Sequence, residues 1–480
     1  MSRYKIPILA PLLAASFFIL FPAGATAQQQ MTAEMASAAS TKIEPALQES
    51  PEKPSAQPAP AIIDVQPVTA AAMAGTAAPA EPKVVTPSGI AAIEWEFLKT
   101  YGENKNEDVL EAVLPQLSAW LRTYPDSVFA DKALLLKANL NLKLGDHRSA
   151  ILNLIKLMQE YPDSESGAAA SQLLGVTAGK KMNKKEKALL EEISKAPGVS
   201  GKAERLAFII GEMSVKFGQD FYEPLTAEFS EFFGRFPEYA GRDWLQLALG
   251  TLYSHKKEYV LSRLAYEKLI QVYPDSPLLA RGKRLLGDVL AENIKDYLAA
   301  IKVYRDITDK YPGTPEAWAA YIQLPRLTER QKQYQLAVEV YENIIKLYPD
   351  KSEARDAFKS EARILREEMG RPAEAIAVLN RLADKYKDEK VVEELYLAAE
   401  IARKDVKDLD TEIRMYDRIA ADYTDSKEAP KALLAAGQAF EKAKNADKAK
   451  EYYERIIKDY PEDSLAKKAQ KYMDALIPKS

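Results

Sequence analysis

Two histidines, His147 and His255, and no cysteine make up the whole stock of residues on which most nucleophilic and zinc chemistry relies. They stand 108 positions apart (255 − 147), about three of the repeat units described below. Helix layers roughly 8–10 Å thick would keep them from sharing a site. A Ser–His–Asp arrangement or a histidine metal site would therefore have to use one of them alone. The acid pairs Glu191-Glu192, Glu367-Glu368 and Glu393-Glu394 are neighbours along charged helical stretches, where solvated faces account for them. A catalytic pair needs two carboxylates held across a cleft. Glycine-rich phosphate loops are absent. No catalytic, cofactor-binding or metal-ligating set is expected, and no enzyme.

Binding chemistry has more to draw on. Lys180, Lys181, Lys184 and Lys185 cluster around Met182-Asn183. They form either a solvated turn between helices or a contact for an anionic partner, such as lipid headgroups or an acidic protein. Tyrosines are abundant, and Tyr266, Tyr304, Tyr341, Tyr416 and Tyr453 recur at positions that helix packing explains. The competing assignment is a stacking ladder for a glycan. The formal net charge of −4 argues against nucleic acid as a partner.

The elements that would position these residues follow from one returning phrase. Tyr-Pro-Asp-Ser stands at 124–127, 161–164 and 273–276. Weaker copies begin at Tyr311, Tyr348, Tyr386, Tyr423 and Tyr460, and disguised ones at Ala196 and Phe236. Steps between the second residues of these phrases are 37, 35, 40, 37, 38, 37, 38, 37 and 37. A fixed period of this size marks a stacked-repeat architecture with a long binding surface.

One unit, 431–461, shows how each repeat is built. Leu434, Ala436-Gly437 and Phe440 share a face of a first helix. Asn445-Ala446-Asp447 makes a turn, and Ala449, Tyr453, Ile456 and Tyr460 stripe a second helix. Pro461 stops that helix because it cannot extend the hydrogen-bond ladder. Acids and small hydroxyls after it suit the next helix start. Gly437 and Ala449 let the two backbones approach closely. Pro325 falls inside a first helix and is expected to interrupt and kink it.

The order small, aromatic, Ala, aromatic, closing proline resembles the tetratricopeptide repeat (TPR) family. It recurs as Leu249-Gly250, Tyr253, Tyr266, Tyr273-Pro274 and as Leu286-Gly287, Ala300, Tyr304, Tyr311-Pro312. The resemblance implies an all-α, TPR-like α-solenoid of about ten helical hairpins over 89–464, with 465–480 as a C-terminal capping helix and tail. The period exceeds the family's usual 34, so hairpins or their turns are slightly longer. The Tyr-Pro-Asp-Ser phrase followed by alanines is similar to the bacterial envelope group of the BamD and YbgF/CpoB types. That likeness implies a scaffold in outer-membrane assembly, Tol–Pal-like maintenance or an export machinery. Its partners would be envelope proteins held in a concave groove lined by first helices. Trp244, Leu247, Thr251 and His255, off the packing stripe near Gly250, are the candidate partner contacts. A glycan- or peptidoglycan-binding module is the alternative.

The N-terminus places the chain. Arg3 and Lys5, the apolar run from Ile6 to Phe21 and Ala25-Thr26-Ala27 read as a cleavable export signal over 1–27. An uncleaved anchor is the competing assignment. Cleavage would leave a net charge of −6, since Arg3 and Lys5 go and no acid does. Residues 28–88 carry nine prolines and fifteen alanines and no Tyr, Phe or Trp, the composition of a disordered tether. The expected location is the periplasm or outside the cell, with outer-membrane association an option. Membrane contact would come only through a partner or a retained signal, and the oligomeric state is left open. A bend near 198–201 is expected to divide the array.

Overall fold

The computed structural model describes residues 87–194 and 201–476. The export signal, the Ala/Pro-rich stretch as far as Thr86 and the Ala196-Pro197-Gly198 phrase lie outside the described residues. Among the described residues there are twenty-one α-helices and no strand.

They form ten helical hairpins and a final single helix. The first pairs α1 (Pro87–Gly102) with α2 (Glu107–Thr123), the second α3 (Ala130–Lys143) with α4 (His147–Glu160). The third is α5 (Glu165–Lys181) with α6 (Lys184–Ser194), and the fourth α7 (Lys202–Phe217) with α8 (Tyr222–Arg235). Next come α9 (Arg242–His255) with α10 (Tyr259–Val272), and α11 (Leu279–Asp288) with α12 (Tyr297–Lys310). The seventh and eighth are α13 (Pro315–Arg330) with α14 (Tyr334–Leu347), and α15 (Ser352–Arg363) with α16 (Pro372–Lys385). The last two are α17 (Val392–Ile401) with α18 (Leu409–Asp422), and α19 (Glu428–Lys442) with α20 (Ala446–Asp459). The closing helix α21 (Ser464–Ala475) packs on α20.

The returning phrase stops one helix and starts the next. Tyr161 N–H closes the end of α4 onto Leu157 O at 2.9 Å, and Ser164 Oγ then accepts from Gly167 N–H at the start of α5. Thr314 caps α13 in the same way through Ala317 N–H. Two of the phrases also tie back to the one before. Tyr161 Oη donates to Pro125 O at 3.3 Å, and Tyr460 Oη to Thr424 O at 3.1 Å.

The turn inside seven of the ten hairpins uses the left-handed helix stop, in which N–H groups reach back to otherwise orphaned carbonyls. In α9, Lys257 N–H meets Ser254 O and Glu258 N–H meets Tyr253 O. The left-handed residue is a glycine at Gly145 and Gly370, but a lysine at Lys257, Lys295, Lys332, Lys407 and Lys444.

Single π-helical segments finish three first helices: Val289–Ile294 after α11, Ile364–Glu368 after α15 and Ala402–Val406 after α17. They absorb one extra residue. Gly250 and Tyr266 are 16 positions apart, as are Gly437 and Tyr453, whereas Gly287 and Tyr304 are 17 apart across a π segment. Both steps of 38 in the phrase spacing contain such a segment. Pro325 does not interrupt its helix as expected. α13 runs unbroken through it, and Thr328 Oγ1 donates to Leu324 O and Pro325 O.

The buried apolar residues form three clusters, running from Ala91 to Leu140, from Leu134 to Leu252 and from Leu247 to Ala469. Helix α9 joins the last two, giving Leu245 and Leu252 to one and Leu247 to the other. The array is less regular at its third hairpin. There α4 packs directly against α7, past the hairpin between them.

Candidate interaction surfaces

The first helices of the later hairpins are tied to one another by a run of ion pairs. Arg326 of α13 pairs with Glu292 beyond α11. Arg363 of α15 meets Glu329 of α13 at 2.5 Å, and Arg366 meets Asp405 of the next unit at 2.6 Å. Second-helix tyrosines reach into the same row. Tyr304 Oη donates to Asp288 at 2.7 Å, Tyr341 to Glu329 at 2.9 Å and Tyr453 to Glu441 at 2.9 Å. Burial, with Glu329 adding to it, pushes the Tyr341 hydroxyl up to about 12, so it remains a donor at neutral pH. The surface is therefore a prearranged row of arginines and carboxylates. It can meet polar and charged groups on an extended partner.

Trp244, Leu247, Thr251 and His255 do not make one exposed patch. Leu247 is 4% exposed and lies in the core. Trp244 is half-buried against α7, so close that a β-carbon on Gly211 would lie 2.0 Å from its ring. Thr251 Oγ1 sits 3.2 Å from Tyr266 Oη. His255 alone of the four is exposed. The tyrosines expected either to pack or to stack on sugars are largely interior: Tyr266, Tyr304 and Tyr453 are at most 1% exposed. Those three cannot stack on a glycan.

Lys180 and Lys181 end α5, and Lys184 and Lys185 begin α6, all four exposed. Between them Asn183 and Glu186 cap α6 reciprocally, Glu186 N–H to Asn183 Oδ1 at 3.0 Å and Asn183 N–H to Glu186 Oε2 at 2.7 Å. The histidines are closer in space than three repeats suggest, because of the α4–α7 contact. His147 shares a cavity with Phe217 and Asp220, and a β-carbon on Gly218 would lie 2.9 Å from His255 Nδ1. Both flank the α7–α8 turn from different hairpins. Sequence spacing concealed this, since it assumes equal layers.

Two further features carry no signal in the sequence. Lys156 of α4 is buried with Glu228 of α8 at 2.5 Å and Glu231 at 3.8 Å. Burial works against its charge, but Glu228 and Glu231 outweigh it and hold the proton above the ordinary lysine range. A cleft of 730 Å³ opens between α10 and α12 over α11, with Leu286, Leu290 and Ile301 in its wall and Arg263, Lys302 and Arg305 at its edge. Among the described residues, no group of three or more acidic or histidine side chains is placed to hold a metal. None of the described helices is long and apolar enough to cross a membrane.

Two tetratricopeptide-repeat family models match the chain, one at residues 132–164 and 431–463, the other at 326–390. These stretches fall on α3–α4, α19–α20 and α13–α16, the better-formed hairpins. They are tetratricopeptide repeats. TPR proteins are in general non-catalytic units that bind other proteins. No curated protein matches the chain. Among solved structures, PilW, a type IV pilus biogenesis factor, is 17% identical with a TM-score of 0.26, covering 48% of this chain and 99% of its own. A TPR protein from Parabacteroides merdae is 16% identical with a TM-score of 0.25, covering 56% of this chain and 98% of its own. The Naa15/Naa10 complex bound to HypK is 14% identical with a TM-score of 0.33, covering 82% of this chain and 64% of the other.

Proposed function

We propose that this TPR protein is a non-enzymatic scaffold, exported by residues 1–27 and held to work in the bacterial cell envelope. Residues 28–88 serve as a tether, 89–464 as the binding array and 465–480 as its cap. The observation that carries the scaffold reading is the row of ion pairs linking Glu292, Arg326, Glu329 and Arg363 across successive first helices. Such a row gives one continuous, chemically patterned face that an extended partner segment can follow. Export rests on Arg3, Lys5, the apolar run and Ala25-Thr26-Ala27. The partner is an envelope protein of an assembly, maintenance or export machinery.

In-cell crosslinking of the tagged protein, followed by mass spectrometry, tests this. Envelope proteins should be captured from wild type and lost on charge reversal by Arg363→Glu. Capture of cell-wall fragments alone would reject the protein scaffold. N-terminal sequencing of the mature protein should begin just after Ala27; a retained Met1 would replace the tether with a membrane anchor.

A further inference from the structure

The first helix of the array carries two apolar faces. On one, Ala91, Trp95 and Leu98 are buried with Leu110, Val113 and Leu117 of α2. On the other, Ile90, Ile93, Phe97 and Tyr101 are between 41% and 64% exposed. These four stand three, four and four positions apart, the spacing of a single stripe along a helix. Among the described residues, Phe97 and Tyr101 are the two exposed aromatic side chains, and their rings lie 4.6 Å apart.

An open array needs a polar outer face on its terminal units. The far end has one, since α21 buries Ala466 and Ala469 and exposes Lys467, Lys468, Gln470 and Lys471. Helix α1 does not. Four side chains of this size, each about half exposed, leave on the order of 400 Å² of apolar surface, enough to mark an interaction site. A dimer of standard size buries about 800 Å² on each partner, rather more than half of it apolar. The stripe therefore supplies most of the apolar share that a dimer requires.

Two features select a second copy of the chain as the occupant. The stripe matches itself: it has two isoleucines towards one end and two aromatic rings towards the other. An antiparallel copy sets Ile93 against Phe97 and Ile90 against Tyr101, an aliphatic side chain against a ring at all four places. Head-to-tail stacking has no such match. It would press the lysines of α21 onto the stripe and leave an unclosed filament.

We infer that α1 is a self-association surface, on which two copies of this chain pack α1 against α1 in an antiparallel, two-fold pair. Such a dimer joins two arrays at their first hairpins. None of its contacts belongs to the ion-pair row, so it stands or falls independently of partner capture.

Sedimentation velocity of the intact protein over a range of concentrations tests this. The mass should rise to that of two chains and stop there. Ile93→Glu and Phe97→Glu should each raise the dissociation constant by about a hundredfold or more, because a two-fold interface loses every contact twice. Val176→Glu, at another exposed apolar residue on α5, should leave the dimer unchanged. Circular dichroism of the variants should match wild type, since all three positions are exposed. A monomer at every concentration, a dimer that survives both α1 variants, or a dimer lost equally with Val176→Glu would each overturn the proposal. Growth beyond two copies would overturn it in favour of head-to-tail stacking.

Discussion

Tyr304 lies against the backbone of Gly287 so closely that a β-carbon there would stand 2.6 Å from the ring's Cε1. Tyr266 on Gly250, at 2.4 Å, and Tyr453 on Gly437, at 2.5 Å, repeat the contact in other hairpins. In these three hairpins the ring is buried in the core, and glycine is what admits it.

Alanine normally stabilises a helix interior relative to glycine by roughly 0.5–1 kcal/mol. At Gly287 the added methyl must displace a buried ring, so Gly287→Ala should instead destabilise its hairpin by about 1–3 kcal/mol. Hydrogen exchange of the α11–α12 amides measures this locally, which suits an array whose units open separately. Unchanged or greater protection would show that Tyr304 shifts freely.

The five lysines at left-handed turns hold φ between 55° and 68°, a conformation that costs an L side chain roughly 1–2 kcal/mol. Gly145 and Gly370 fill the same place at φ 80° and 64°. Lys257→Gly or Lys332→Gly should therefore stabilise the fold, by about 0.5–1 kcal/mol each after glycine's own entropy is counted. Denaturant unfolding of single and double variants would detect it. A lower midpoint would mean that these lysines make stabilising contacts of their own.

Glu361 is 1% exposed and its Oε2 has no hydrogen-bond partner. Burial pushes its carboxyl up to about 7, against the pull of Arg381, whose Nη1 is 3.7 Å away. In the unfolded chain the proton leaves near the usual carboxylate value. Between that value and about 7 the folded state binds more protons, so stability falls as pH rises through this window and stays lower above it. Glu361→Gln should flatten the decline and raise stability above neutral pH by up to about 3 kcal/mol. A pH–stability profile identical to that of wild type would place the titration elsewhere.

Lys156 and Glu228 form a pair with almost no solvent contact. Lys156→Met leaves a buried carboxylate without its cation and should cost about 3–5 kcal/mol. Adding Glu228→Leu should recover most of that loss, since an apolar pair of similar volume avoids the desolvation penalty. A double-mutant cycle by denaturant unfolding checks it, and additive losses would show no coupling between the two.

The fold was legible because a solenoid repeats in sequence what it repeats in space. Tyr-Pro-Asp-Ser announces a helix stop and a helix start, and the Gly–Tyr spacing announces a hairpin. The candidate surface was much less legible. Trp244 and Leu247 looked free on a single helix, but their neighbours Gly211 and Tyr266 come from other helices. The left-handed turns were hidden because lysine stands where glycine is the expected signal. His147 and His255 looked three repeats apart, but α4's direct contact with α7 breaks the equal spacing that a period implies.

The sequence by itself determined the all-helical class, the number of hairpins and their punctuation, because those depend on interactions within about 40 residues of chain. Only the tertiary structure decided which charges pair across hairpins, which tyrosines are interior, and where a cavity opens. Those outcomes depend on how one helix layer lies on the next. That placement is set by side-chain volumes contributed from several hairpins at once, which no single repeat encodes.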